Sequence, residues 1–171
     1  CADHPLFPTR MPDFYISHCE SKAFEGFNFF LPKGKSQRQE GKYTFITYSI
    51  EKGRPDAAGV EVVRNYENAL KKIGGTVEQI EPNRRLNGKV TIDGREIWME
   101  DEKGNGKIWL RIVEKVAMQQ HIAADAAFLA NGLAATGHVT VEGIYFDTGK
   151  AVVKPESKPA LEEVTKLLAA D

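Results

Sequence analysis

The sequence predicts an α+β fold: an antiparallel sheet with helices packed on one face. Three observations predict it. Short runs of high β propensity are joined by tight-turn signals at Asp93-Gly94 and Gly104-Asn105-Gly106, the chemistry that closes antiparallel hairpins. Residues 59–73 place Val62, Val63, Tyr66, Ala69, Leu70 and Ile73 at three- and four-residue steps, which makes one apolar helical stripe. The resulting order, ββ-α-ββββ-α-β-α, gathers the strands into hairpins and leaves the helices to cover a face.

Residues 1–18 carry Pro5, Pro8 and Pro12. Proline cannot donate to a ladder and biases its predecessor to extended geometry, so an irregular arm is expected, laid on an apolar surface by Phe7, Phe14 and Tyr15. Ala23–Leu31 alternates aromatic and small residues and reads as a strand ended by Pro32. The polar, basic run 33–42 reads as an exposed turn, and Tyr43–Ile50 as the returning strand. After the helix at 59–73, Gly74-Gly75 supplies the stop. Strands are expected at Thr76–Ile80, Lys89–Ile92, Arg95–Glu100 and Lys107–Val113, with Trp98 and Trp109 facing each other across the Gly104 turn as a cross-strand pair. Residues 117–135 read as an alanine-rich helix, with Ile122, Ala126, Leu129 and Leu133 on one side and Gly137 ending it. Val139–Phe146 reads as a strand, Asp147-Thr148-Gly149 as a turn, and Pro155–Ala170 as a last amphipathic helix.

Composition excludes several classes. The chain has 171 residues, 42% apolar and 27% charged, with a formal net charge of -1. That is ordinary globular composition, and the near-neutral balance gives no general pull toward nucleic acid. No stretch approaches the roughly 18 uncharged apolar residues of a membrane helix. The familiar catalytic and phosphate-binding motifs are missing, no cofactor is implied, and the spacing of His4, His18, Cys1 and Cys19 matches no compact metal motif. The two histidines read as surface residues. Glu100, Asp101 and Glu102 read as a solvated hairpin end. The two cysteines, Cys1 and Cys19, admit three states: a disulfide, free thiols, or a lipidated first residue.

The segment Val141-Glu142-Gly143-Ile144-Tyr145-Phe146-Asp147-Thr148-Gly149, followed by Lys154-Pro155-Glu156-Ser157 and Lys158-Pro159-Ala160-Leu161-Glu162-Glu163, resembles the opening of the OmpA/MotB-like peptidoglycan-binding domain. The resemblance rests on a strand, a Phe-Asp-Thr turn, a short extended run and a Lys-Pro-Glu lead into a helix. Asp3-His4-Pro5-Leu6-Phe7 with Arg10-Met11-Pro12 is more loosely similar to the N-terminal regions of some OmpA-family envelope proteins. The resemblance implies an N-terminal α+β domain over 1–137 and, over 138–171, the truncated beginning of an OmpA-like module. It implies a partial peptidoglycan-binding set at Phe146, Asp147, Thr148 and Gly149. The acid and arginine that grip diaminopimelate in that family have no counterpart in this sequence.

The function implied is non-enzymatic: a cell-envelope protein of the periplasm or outer membrane of a Gram-negative bacterium, held to peptidoglycan in its full-length form. An envelope protein partner and a domain-swapped or other homodimer are further expectations; nucleic acid is not. In an oxidising periplasm a Cys1–Cys19 disulfide is favoured, with lipidation of Cys1 as the other envelope option. Two other readings compete. One is a protein- or ligand-binding adhesion module working through Phe27, Phe29 and Phe30. The other is an enzyme on envelope polymers using Asp101 or Asp147.

Overall fold

A computed structural model describes residues 2–119 and 126–169. It is an α+β fold whose described elements include a six-stranded antiparallel sheet and three α-helices. The chain divides into two compact units, Cys1–Ala117 and Met118–Asp171, and each is taken by itself.

The first unit holds the sheet, in the order β1-β2-β6-β5-β4-β3. β1 (Phe14–Leu31) and β2 (Lys35–Ile50) form a long hairpin; β3 (Thr76–Glu81), β4 (Arg85–Ile92), β5 (Arg95–Gly104) and β6 (Lys107–Glu114) form a meander. The meander closes on the hairpin where β6 pairs with β2. Helix α1 (Gly59–Lys72) therefore spans one face on its way from β2 to the far edge, β3. The Asp93-Gly94 turn forms as the sequence predicts, with both residues at positive φ (50° and 75°), as a two-residue hairpin with the native strand twist requires.

Under α1 lies the main core. Val62, Val63, Tyr66 and Leu70 of the helix pack on Val90, Ile97, Met99, Leu110 and Ile112 of the sheet. Leu70 is fully buried between two glycines: a Cβ on Gly75 would stand 2.5 Å from one of its methyl carbons, and a Cβ on Gly88 2.3 Å from the other. The helix can approach the sheet this closely because those positions have no side chain. The arm contributes Leu6, Phe7, Met11 and Phe14 to the same core. Phe7 meets Tyr66 edge-on, at 5.2 Å between centroids.

The opposite face is covered by the hairpin itself. β2 pairs with β6 only over Lys42–Ser49, so Lys35–Gly41 and its β1 partners run past the sheet. They turn over it at a bulge between Lys22 and Glu25, opposite Gly41. Gly41 lies so close to β6 that a Cβ there would stand 2.1 Å from the carbonyl oxygen of Glu114. The folded tip buries Phe29 against Trp98 and Val113, with Phe27, Leu31 and Tyr43 around them. Asn87 Nδ2 donates to the Phe30 carbonyl at 3.1 Å and fastens the tip to β4.

The second unit contains α2 (Ala126–Thr136), a single 3-10 turn at Pro155–Ser157 and α3 (Lys158–Leu168). The two helices pack together, and Glu163 of α3 accepts from the Ala126 amide at 3.0 Å, meeting an otherwise open N–H of the first turn of α2. Gly137 follows α2 at φ 75°, the left-handed position that commonly ends a helix.

Several expectations are corrected. The arm is irregular only as far as Asp13, because Phe14 onward pairs with β2. The run 33–42 is strand from Lys35, and the turn is confined to Pro32–Gly34. Its polar residues have a ladder partner in Gly26–Leu31, and pairing overrides their low β propensity. Val139–Phe146 is not a strand: only Phe146 makes a bridge, to Val153. Gly143 at φ 88° interrupts the run, and a lone extended segment has no ladder to satisfy its backbone. The alanine-rich helix spans Ala126–Thr136; residues 120–125, including Ile122, lie outside the described residues. Trp98 and Trp109 are not paired: Trp98 stands opposite Val113 and Trp109 opposite Glu102. His4 is buried rather than superficial, with its Nε2 3.4 Å from Glu114.

Candidate functional site

The four residues of the expected ligand border, Phe146, Asp147, Thr148 and Gly149, form the tip of a small closed loop. Two backbone bonds shape it: Lys150 N–H to the Asp147 carbonyl at 3.0 Å, and Lys154 N–H to the Tyr145 carbonyl at 2.9 Å. Gly149 takes φ 73° at the turn, a conformation a side chain would strain. The loop is locked from behind by Ser157. This serine has no exposed surface. Its Oγ accepts from the Tyr145 amide at 2.8 Å and lies 3.4 Å from the Tyr145 carbonyl, to which it donates. The order turn, extended run, proline-led helix is therefore held by one buried hydroxyl just before α3.

At the tip, the Asp147 carboxylate lies 3.1 Å from Lys154 Nζ and 3.6 Å from Lys150 Nζ. Asp147 in turn raises the pKa of Lys154, by hydrogen bond first and charge second. Phe146 is 52% exposed. The tip thus presents an acid, two cations and an aromatic side chain to solvent.

The cysteines fall differently. Cys19 lies in β1 against the main core and is not a free thiol. Cys1, the other half of the expected bridge, lies outside the described residues. Among the described residues, no group of His, Cys, Asp and Glu has the makings of a metal site.

The acidic run 100–102 is the largest departure from the sequence reading. It is not a solvated hairpin end, because β5 continues to Gly104. Strand alternation then sends the three carboxyls to two faces. Glu100 and Glu102 lie under the hairpin tip. Glu100, 1% exposed, accepts from Arg111 Nη1 at 2.8 Å, and Glu102 accepts from Arg85 Nη2 at 2.8 Å and from Arg84 Nη2 at 3.0 Å. The guanidinium of Arg111 also lies over the rings of Phe27 and Phe45, and that of Arg85 over Phe30. Burial raises the pKa of Glu100 despite the arginines, whereas for Glu102 the burial penalty is outweighed by Arg85 and Arg84 and its pKa is lowered.

Asp101 points the other way, into the core beneath α1. It is fully buried, and neither carboxyl oxygen has a hydrogen-bond partner on another described residue. Burial, with the nearby Glu100 charge second, holds its pKa well above the ordinary value. An unpaired ion there would cost far more than a neutral acid. Alternation along Ile97, Met99 and Asp101 was the available signal for this placement. A strand ended at Glu100, as the acidic run suggests, hides it.

Compared with protein-family models, with curated proteins and with solved structures, the chain matches none.

Proposed function

We propose that the chain is part of a non-enzymatic cell-envelope protein of a Gram-negative bacterium, in which residues 138–171 begin an OmpA-like peptidoglycan-binding module and the first unit serves an envelope partner. The observation that supports this reading is the loop Tyr145–Ser157. It combines an exposed Phe-Asp-Thr-Gly tip with a Pro155-led entry to α3, closed by Ser157 on Tyr145. The diaminopimelate branch of a murein peptide carries both a carboxylate and an amine. A tip with Lys150 and Lys154 beside Asp147 offers complementary charges to both. In this reading the full-length protein supplies the remaining acid and arginine, and a periplasmic location goes with a Cys1–Cys19 bridge.

The test is a pelleting assay of the full-length protein with purified peptidoglycan sacculi. Sedimentation with the sacculi is expected, weakened by Asp147→Ala. Full-length protein left in the supernatant would remove the anchoring claim. The adhesion reading through Phe27, Phe29 and Phe30 is less well supported, since Phe29 is fully buried and Phe27 packs against it.

A further inference from the structure

The first unit contains an open groove of about 470 Å³ between the proline-rich arm and the C-terminal half of α1. Its helix wall is Asn65, Tyr66, Ala69, Lys72 and Ile73, and its arm wall runs from Leu6 to Pro12. The volume is in the range of small-molecule sites, about 300–1,000 Å³.

The arm is a preformed wall. Asp3 accepts from Arg10 Nη2 at 2.6 Å and from the Tyr48 hydroxyl at 3.0 Å. The Leu6 amide donates to His4 Nδ1 at 3.1 Å, and the Phe7 amide to the His4 carbonyl at 2.8 Å. A wall that is already ordered costs a ligand little to organise.

The lining has a definite chemistry. Pro8 and Pro12 have no N–H to offer, so this wall is a poor template for an added peptide strand. Apolar side chains form most of the surface. The charged residues in the lining are both cations, Arg10 and Lys72, in a chain whose formal net charge is -1. Arg10 is committed to Asp3. Lys72, in the last turn of α1, is exposed and has no ion-pair partner among the described residues.

From this we infer that the groove binds a small amphipathic anion, a single acyl chain with a carboxylate. The chain lies along Tyr66, Ala69 and Ile73, and its carboxylate meets Lys72. The inference is independent of the wall-anchoring reading, since no residue of the second unit enters it.

Dodecanoate, titrated below its micelle-forming concentration and followed by calorimetry and by amide NMR shifts, is the probe. Octyl glucoside supplies an uncharged chain and acetate a chainless anion. The expected result is saturable one-site binding of dodecanoate with shifts at Ala69, Ile73 and Met11, weaker binding of octyl glucoside, and none of acetate. Lys72→Glu changes an exposed side chain, and its folding is checked by thermal melt. It is expected to weaken dodecanoate about tenfold or more while leaving octyl glucoside unchanged, the size of one charge-assisted contact. Ala69→Trp, which fills the groove, is expected to abolish both. The proposal is overturned if wild-type protein shows no saturable binding. It is equally overturned if dodecanoate binds wild type, Lys72→Glu and Ala69→Trp alike, or if octyl glucoside matches dodecanoate.

Discussion

On one face of the sheet, α1 lays Val62, Val63, Tyr66 and Leu70 over Ile97, Met99, Leu110 and Ile112. On the other, the hairpin tip brings Phe27 and Phe29 onto Trp98 and Val113 and rings them with Arg85, Glu100, Glu102 and Arg111. The first face is held by area removed from water, in proportion to the apolar surface covered. The second has a small apolar cluster and owes its fit to matched charges and rings. The two fail differently. Apolar packing degrades by increments as methylenes are removed. A buried ion cluster fails when one partner goes, because the remaining charge is left without water or counter-ion.

Arg111 is the residue on which this contrast is sharpest. It is the close partner of Glu100 and lies over two rings of the hairpin and sheet. Arg85 Nε stands 3.9 Å from the other Glu100 oxygen, too far for a hydrogen bond. Arg111→Ala leaves Glu100 with only this longer Arg85 contact and is therefore expected to cost about 3–5 kcal/mol in urea unfolding, the usual cost of removing one partner of a buried pair. The penalty should grow with pH. With burial already raising the Glu100 pKa, removal of its cation raises it further, and the folded state pays more to ionise it. A loss under about 1 kcal/mol, flat in pH, would mean that matched charge is not what holds the hairpin down.

Asp101 breaks the contrast from within, since it is a polar group set in the apolar face. Its folded pKa is raised above the ordinary 3.8. Between that value and the folded pKa, the folded chain holds a proton that the unfolded chain has released. Stability contributed at this position therefore falls as pH rises through that window. Asp101→Asn keeps the shape and removes the titration. It is expected to raise stability by roughly 1–3 kcal/mol at pH 7, with the gain over wild type shrinking toward zero near pH 4. The difference between the two pH curves is the measurement. Other groups, His4 among them, cancel in that difference. A gain that is the same at pH 4 and pH 7 would show that Asp101 does not bind a proton on folding.

The sequence made some of this legible and hid the rest for physical reasons. The stripe of α1 and the Asp93-Gly94 turn are local signals, and both appear where the pattern put them. The length of the hairpin was not local. Residues 35–42 are polar because their outer side faces solvent, and they are strand because Gly26–Leu31 supplies the ladder. The depth of Asp101 follows from where β5 stops, and a run of three acids suggested a surface end too early. At the Phe146–Gly149 tip, Gly149 announced the turn. Ser157 carried no such signal. Only the fold shows that its hydroxyl is taken up by Tyr145.

The outer side of the same hairpin gives the smallest effect and the control for the other two. Arg38 Nε lies 2.9 Å from Glu40 Oε1, with both side chains about half exposed (55% and 51%). They sit on the same strand segment whose inner side faces the buried layer, so Glu40→Ala changes charge without changing what the tip covers. Exposed pairs contribute about 0–1 kcal/mol, and salt screens them further. Glu40→Ala should change the unfolding free energy by no more than about 0.5 kcal/mol, and by less still at high salt. Should it instead approach the Arg111→Ala loss, the tip would be held by its outer charges. The assignment of the hairpin's stability to its inner face would then be wrong.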